Sequence, residues 1–257
     1  MESKWVLNYL RRIKMPKDVT PLPTYSYLRE LQYRHVLSVP YENLDIVNGI
    51  PISLKIDDLY QKIVVRHRGG YCFELNALFA ELLKQIGFDV TSYFARYLRG
   101  ESEIPMRRHR VLKVKCADGV YICDVGIGQV APRYPLKLEE NFIQEQFGEK
   151  YQFQKDAQLG WVLYEWKNGE WAKYFSFFEE EQLEIDFVQP SFYCEKHPDS
   201  VFNKTYIVAV KTPIGRKSLN DREYKEFENG ELTVLKEHLD DVTLNDILKT
   251  EFSIVLN

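Results

Sequence analysis

The chain lacks the patterns on which several large functional classes depend. Its 257 residues include four cysteines, at 72, 116, 123 and 194, and no two are spaced as C-x-x-C, so no zinc site is expected. Apolar residues never run to the roughly eighteen that a membrane-spanning helix needs. Positive charge is not in excess: 34 Lys and Arg against 38 Asp and Glu leave a net charge of −4, which gives no general attraction to nucleic acid or to an anionic membrane. Neither a P-loop nor a dinucleotide-binding fingerprint occurs, so any nucleotide-bearing ligand is held in another way. Internal repeats and low-complexity tracts are missing as well. Met1 to Lys14 lacks a signal-peptide layout, because Asn8 interrupts Trp5-Val6-Leu7 and Arg11-Arg12 follow the apolar part. The expectation is a globular, cytoplasmic protein with free thiols, even though a hairpin is expected to bring Cys116 and Cys123 near each other.

What the sequence does contain centres on Arg68-Gly69-Gly70-Tyr71-Cys72-Phe73-Glu74-Leu75-Asn76. Two glycines and a cysteine stand directly before a helical pattern in which Leu75, Leu78, Phe79, Leu82, Leu83 and Ile86 share one face and Gly87 is the stop. Cys72 is therefore expected in the first helical turn, where unpaired N–H groups and the helix dipole favour an anion and lower a thiol pKa. A partly exposed cysteine in that position suits covalent catalysis, whereas a lone cysteine is more often a buried, inert one.

A thiol nucleophile needs a base and an acid that orients it. Of the five histidines, His109 opens an alternating run to Cys116, with His109 and Val111 facing one way and Arg110, Leu112 and Val114 the other. Ala117-Asp118-Gly119 reads as a hairpin turn, and Val120 to Asp124 as the returning strand, which brings Asp124 alongside His109. His67 beside the nucleophile loop is the rival base. His35, mid-helix among apolar neighbours, reads as a packed residue. Arg107, Arg108 and Arg110 form the one local basic cluster, fitted equally to a solvated rim or to a phosphorylated ligand.

Elsewhere, residues 3–13, 24–38 and 55–65 read as helices, so the first 87 residues are expected to be helical. Period-two stretches then begin at Phe88 and include 108–116, 120–124, 151–155, 161–166 and 171–177, a compact antiparallel β unit. Tyr134 to Gly148 reads as an exposed polar connection. A third region begins near Glu179, with Pro190 and His197-Pro198 in its linker, and contains a strand at 206–210, a turn at 212–215, a hairpin across Asn229-Gly230 and a closing helix at 241–250.

Three segments in order, His35 to Ile46, Arg68 to Asn76 and Cys123 to Gly128, resemble the signatures of the arylamine N-acetyltransferase family, and the resemblance runs to about residue 220. It implies a Cys72-His109-Asp124 triad that takes an acetyl group from acetyl-coenzyme A and passes it to an arylamine, arylhydrazine or arylhydroxylamine, with no metal. It also implies a supporting ion pair of Glu42 with Arg68, and coenzyme contacts from Tyr206 and Thr212. Two positions depart from the family pattern: Arg107-Arg108 replaces a small residue before the histidine, and Ile127 replaces an aromatic between two glycines. Arg108 and Ile127 are thereby placed at the acceptor pocket. The fold expected is α+β in three parts: a helical bundle (1–87), an antiparallel β-barrel (88–190) and an α/β lid (191–257), around a Cys-protease- or transglutaminase-like core. A thiol hydrolase or transglutaminase-like enzyme would use the same three residues with another acyl donor, and a non-catalytic interaction module would share the fold alone.

Overall fold

In the computed structural model, residues 3–256 are described. Helices α1 (Lys4–Arg12) and α2 (Tyr25–Ser38) start at side-chain caps, Ser3 and Thr24, whose hydroxyls accept from Val6 and Tyr27 N–H groups. Strand β1 (Tyr41–Glu42) and the short α3 (Leu44–Val47) follow. The helix expected over 55–65 forms as α4 (Ile56–Tyr60) and then widens into a π-helical turn, Gln61–Val65. Helix α5 (Cys72–Ile86) ends at Gly87, whose φ of 104° is open to glycine without strain. It is buried on nearly every side from Cys72 to Leu83, not on one face alone, so it forms the axis of the bundle.

Eight strands come next: β2 (Asp89–Tyr97), β3 (His109–Cys116), β4 (Gly119–Cys123), β5 (Leu136–Lys137), β6 (Gln144–Gln146), β7 (Glu149–Asp156), β8 (Gly160–Lys167) and β9 (Glu170–Glu181). They form one antiparallel sheet in the order β5-β4-β3-β2-β9-β8-β7-β6, curled into a nearly closed barrel. The two edge strands are joined by glutamines instead of a backbone ladder. Gln144 accepts from Lys137 N and donates to Lys137 O, and Gln146 does the same with Tyr134. The stretch 134–148 is thus a barrel seam with Leu136 and Gln146 buried, and the expectation of a merely exposed connection is corrected.

Alternation along β3 and β4 builds both halves of the core. Leu112, Val114 and Cys123 pack into the helical bundle, whereas Val111 and Ile122 face the aromatic barrel interior with Phe153 and Phe175. Cys116 pairs with Gly119 and Cys123 with Leu112, so the two thiols are not cross-strand partners; all four cysteines are free.

The last part contains α6 (Val188–Lys196), strands β10 (Ile207–Lys211), β11 (Gly215–Asn220), β12 (Glu223–Glu228) and β13 (Glu231–Lys236), and α7 (Asp241–Phe252). Val208, Leu219 and Tyr224 pack against Leu244, Ile247, Leu248 and Phe252 of α7. Strand β1 joins this second sheet at β10, with Tyr41 opposite Ala209. The first 87 residues are therefore not purely helical, and β1 bonds through its backbone both to β10 and to Gly70 of the loop before Cys72. No described helix is long and apolar enough to cross a membrane.

Candidate active site

Cys72 opens α5, and its position is set by a buried chain of charges. Glu42 Oε1 lies 2.8 Å from Arg68 Nη2, and the same nitrogen lies 2.8 Å from Asp45. Asp45 Oδ2 and Glu74 Oε1 lie 2.7 and 2.8 Å from Lys62 Nζ, and Glu74 Oε2 accepts from Tyr71 N at 3.1 Å, capping α5 one residue before the thiol. Burial works against the Lys62 ammonium, yet Glu74, Glu42 and Asp45 hold it above its ordinary range. Burial pushes the Glu74 carboxyl up, with Lys62 opposing. Glu42 and Arg68 meet as expected, while Asp45, Lys62 and Glu74 extend the pair into a network that local spacing does not reveal. Gly69 lets it form, since a Cβ there would lie 2.1 Å from Pro40 O.

The hairpin of β3 and β4 brings His109 and Asp124 together. His109 Nε2 lies 2.6 Å from Asp124 Oδ2, and both are buried. A carboxylate accepts, so Nε2 carries the hydrogen and Nδ1 is left as the nitrogen to meet a thiol. Asp124 Oδ1 accepts from Asn76 Nδ2 and from Gly126 N, each at 2.9 Å. Asn76, one turn after Cys72 on α5, also donates to Arg110 O at 2.7 Å and accepts from Val125 N at 3.0 Å. It ties helix, strand and loop together. The sequence reading passed over it, although its i+4 spacing from Cys72 puts both on one helix face. A Cβ on Gly126 would lie 2.7 Å from Cys72 Cα, so glycine is what lets the loop lie against the backbone of Cys72.

Cys72 and His109 line one cavity of about 330 Å³, with Tyr41, Tyr97, Ile127 and Phe202 among its apolar walls. Cys72 Sγ lies 3.8 Å from Arg108 O, the residue before the histidine. The thiol is buried, not partly exposed, and burial first, then Cys194 and Asp124, push its pKa well above the ordinary value. The expectation that the helix end lowers it is corrected: removal from water outweighs the dipole and the Phe73 N–H.

Arg108 and Ile127 line the cavity; Tyr206 and Thr212 do not. Tyr206 donates to Asn48 Oδ1 at 3.3 Å, and Thr212 O accepts from Arg133. The basic cluster separates. Arg110 is buried against Glu184 and Phe187, and Arg107 pairs with Glu180 at 3.3 Å. His67 is exposed and lies off the cavity. His35 is packed as expected, with Nδ1 3.0 Å from the Tyr9 hydroxyl. Among the described residues no group of three or more His, Cys, Asp and Glu side chains is placed to hold a metal.

A family model described as N-acetyltransferase matches residues 24–257. The arylamine N-acetyltransferase of Mycolicibacterium smegmatis is 34% identical over 228 residues, covering 86% of this chain and 82% of that protein. The solved arylamine N-acetyltransferase of Salmonella typhimurium superposes with a TM-score of 0.94 at 28% identity, covering 100% of this chain and 93% of that one. The Mycobacterium marinum arylamine N-acetyltransferase in complex with CoA gives 0.90 at 29% identity, covering 97% and 92%. Sequence and fold agree along nearly the whole length, and the chain belongs to the arylamine N-acetyltransferase family of acyltransferase enzymes.

Proposed function

We propose that the protein moves an acetyl group from acetyl-coenzyme A to an arylamine, arylhydrazine or arylhydroxylamine in two displacements, with the acetyl group resting on Cys72 between them. One observation carries the reading: Cys72 and His109 line a single cavity, and His109 is oriented by Asp124 at 2.6 Å. His109 Nδ1 takes the thiol proton, and the resulting thiolate attacks the thioester carbonyl. Backbone N–H groups beside Cys72 stabilise the oxyanion. Coenzyme A leaves as its thiolate and takes the proton back from the imidazolium. The amine then attacks acetyl-Cys72, His109 accepts the amine proton and returns it to the departing sulfur, and Asp124 stabilises the imidazolium in both halves.

Arg108 and Ile127 serve the acceptor in this scheme. Tyr206 and Thr212 flank β10, whose Ile207 and Ala209 line the cavity, and so lie where the coenzyme arm would pass. The stretches 1–87, 88–190 and 191–257 contribute the nucleophile, the base with its acid, and the lid. Free thiols fit a reducing compartment, and the cytoplasm is the proposed location.

The test is incubation with acetyl-coenzyme A alone, followed by intact mass and by initial rates with a hydrazine or aniline acceptor. A gain of one acetyl group on Cys72 and parallel double-reciprocal lines are expected. An unmodified Cys72 with intersecting lines would replace this scheme with direct transfer, and release of acetate without amine transfer would make the protein a thiol hydrolase.

A further inference from the structure

The acetyl-transfer steps use one thiol, and a second is buried in the same surroundings. Cys194 of α6 has no exposed surface and does not line the cavity. It belongs with Cys72 to one apolar cluster, which also holds Ile46, Tyr71, Phe73 and Phe187. Cys123 sits instead in the core of the helical bundle, with Cys116 packed against that core. Among the described residues Cys194 is thus the one further cysteine in the cluster around Cys72.

Several contacts turn the Cys194 face of α6 toward Cys72. Ser191 is buried and hydrogen-bonds through its hydroxyl to the hydroxyl of Tyr71, the residue before Cys72. Cys194 follows Ser191 by three positions, so the two share one face of the helix. Ser200 donates to Cys194 O, and two residues on Phe202 packs edge-on against Tyr71, with 5.9 Å between ring centroids, and lines the cavity. On the other side of Cys72, the Phe73 ring lies 6.0 Å from that of Phe187, which immediately precedes α6. Arg108 borders both thiols: its carbonyl lies 3.8 Å from Cys72 Sγ, and its guanidinium lies 5.8 Å from the ring of Tyr193, the residue before Cys194. The thiols also act on each other electrostatically, since Cys194 is the largest influence after burial on the ionisation of Cys72. Burial pushes the Cys194 thiol itself up to about 12, with Arg108 opposing.

Access gives the two thiols different chemistry. A cavity of about 330 Å³ admits a peroxide to Cys72, whereas Cys194 is shielded from it. Once His109 has taken the thiol proton, the Cys72 sulfur attacks the peroxide. A sulfur–oxygen bond forms, the oxygen–oxygen bond breaks, and the departing hydroxide takes the proton from the imidazolium as water. Further peroxide would carry this sulfenic acid to sulfinic and sulfonic acids, which thiols do not reduce. A neighbouring thiol intercepts it. The Cys194 sulfur attacks the Cys72 sulfur, a sulfur–sulfur bond forms, and the hydroxyl leaves with the Cys194 proton as a second water. Two thiols and one peroxide thus become one disulfide and two waters, and an added dithiol reverses the bond by exchange.

We infer that Cys194 is a resolving thiol, which captures oxidised Cys72 in an intramolecular disulfide and so spares it from irreversible oxidation. The inference stands apart from the acetyltransferase reading, because the bond is read by mass and not by transfer. The test treats the native protein with hydrogen peroxide, blocks the remaining thiols with iodoacetamide and maps the peptides without reductant. An intact mass lower by two hydrogens before blocking and a linked Cys72–Cys194 peptide pair are expected. Dithiothreitol should then restore the original mass and the alkylation of Cys72. Cys194→Ser and Cys194→Ala should keep the native rate of acetyl transfer, yet the same treatment should leave Cys72 carrying sulfinic or sulfonic oxygens that dithiothreitol does not remove. Cys116→Ser should behave as the native protein does. Native protein in which Cys72 gains oxygen without a link to Cys194 overturns the proposal, and so does a link from Cys72 to another cysteine. Cys194 variants that recover from peroxide as fully as the native protein overturn it too. Should both variants fail to fold, the peptide map of the native protein decides by itself.

Discussion

Fifteen positions apart in the chain, His109 and Asp124 meet at 2.6 Å, and the second oxygen of Asp124 is already taken by Asn76 and Gly126. The carboxylate is therefore fixed from three directions and leaves one oxygen for the imidazole. Because burial holds the Cys72 thiol well above its ordinary range, thiolate at neutral pH depends on a proton acceptor beside it.

Asp124→Asn keeps the shape and removes the charge behind the imidazolium. Transfer should fall by orders of magnitude, about 10⁴ in a comparable triad. Alkylation of Cys72 by iodoacetamide should require higher pH than in the native protein, and His67→Ala should shift neither. An alkylation profile that overlays the native one would remove Asp124 from the role proposed for it.

Asn76 acts through Asp124, so its loss should be felt twice. Asn76→Ala leaves Arg110 O and Val125 N without their partner and should cost about 1–3 kcal/mol of stability in urea unfolding. The alkylation profile should move in the same direction as for Asp124→Asn. Asn76→Asp places a second carboxylate against Asp124 and should transfer acetyl more slowly than Asn76→Ala. A stability loss with an unmoved profile would make Asn76 purely structural.

Lys62 is the junction of the buried charge chain. Lys62→Met strands Glu74, leaves Asp45 with Arg68 alone and should destabilise by about 3–5 kcal/mol, the range for breaking a buried pair from one side. Adding Glu74→Gln should recover part of that loss, because the amide oxygen still caps Tyr71 N while the stranded charge is gone. Additive losses in the double variant would contradict the network.

His35 gives the fold an acid limit. Burial first and Arg12 second push its imidazole down to about 3, far below the unfolded value. Protons therefore bind the unfolded chain in preference, and stability present above about pH 6.5 is lost as pH falls toward 3, at up to about 1.4 kcal/mol per pH unit. His35→Gln should flatten this part of the stability profile; identical slopes would place the acid sensitivity elsewhere.

The meeting of His109 and Asp124 was legible because it is local. Alternation from His109 to Cys116 and the Asp118-Gly119 turn decide which residues face each other, and a hairpin leaves little freedom. The charge chain was not legible, since Asp45, Lys62 and Glu74 stand on three separate elements and only packing joins them. Helix α6 was read as linker on account of Pro190, but that proline occupies the third helical position, where its missing N–H has no intrahelical partner to lose. Strands β1, β5 and β6 are two or three residues long, too short for any period to emerge, and β11 carries a single large apolar residue, Leu219. The thiol environment was misread because a helix terminus is visible in sequence and the burial around it is not.

The glutamine seam between β5 and β6 bears on how the barrel behaves among its own copies. Open sheet edges are templates for strand addition and aggregation, and natural folds guard them. Here two side-chain amides give and take one bond each, as peptide groups would, without fixing a long ladder. The edge is hidden from foreign strands, yet it rests on two residues. Their loss would leave the catalytic geometry nearly untouched and expose two unpaired strands, so the cost would fall on solubility before activity.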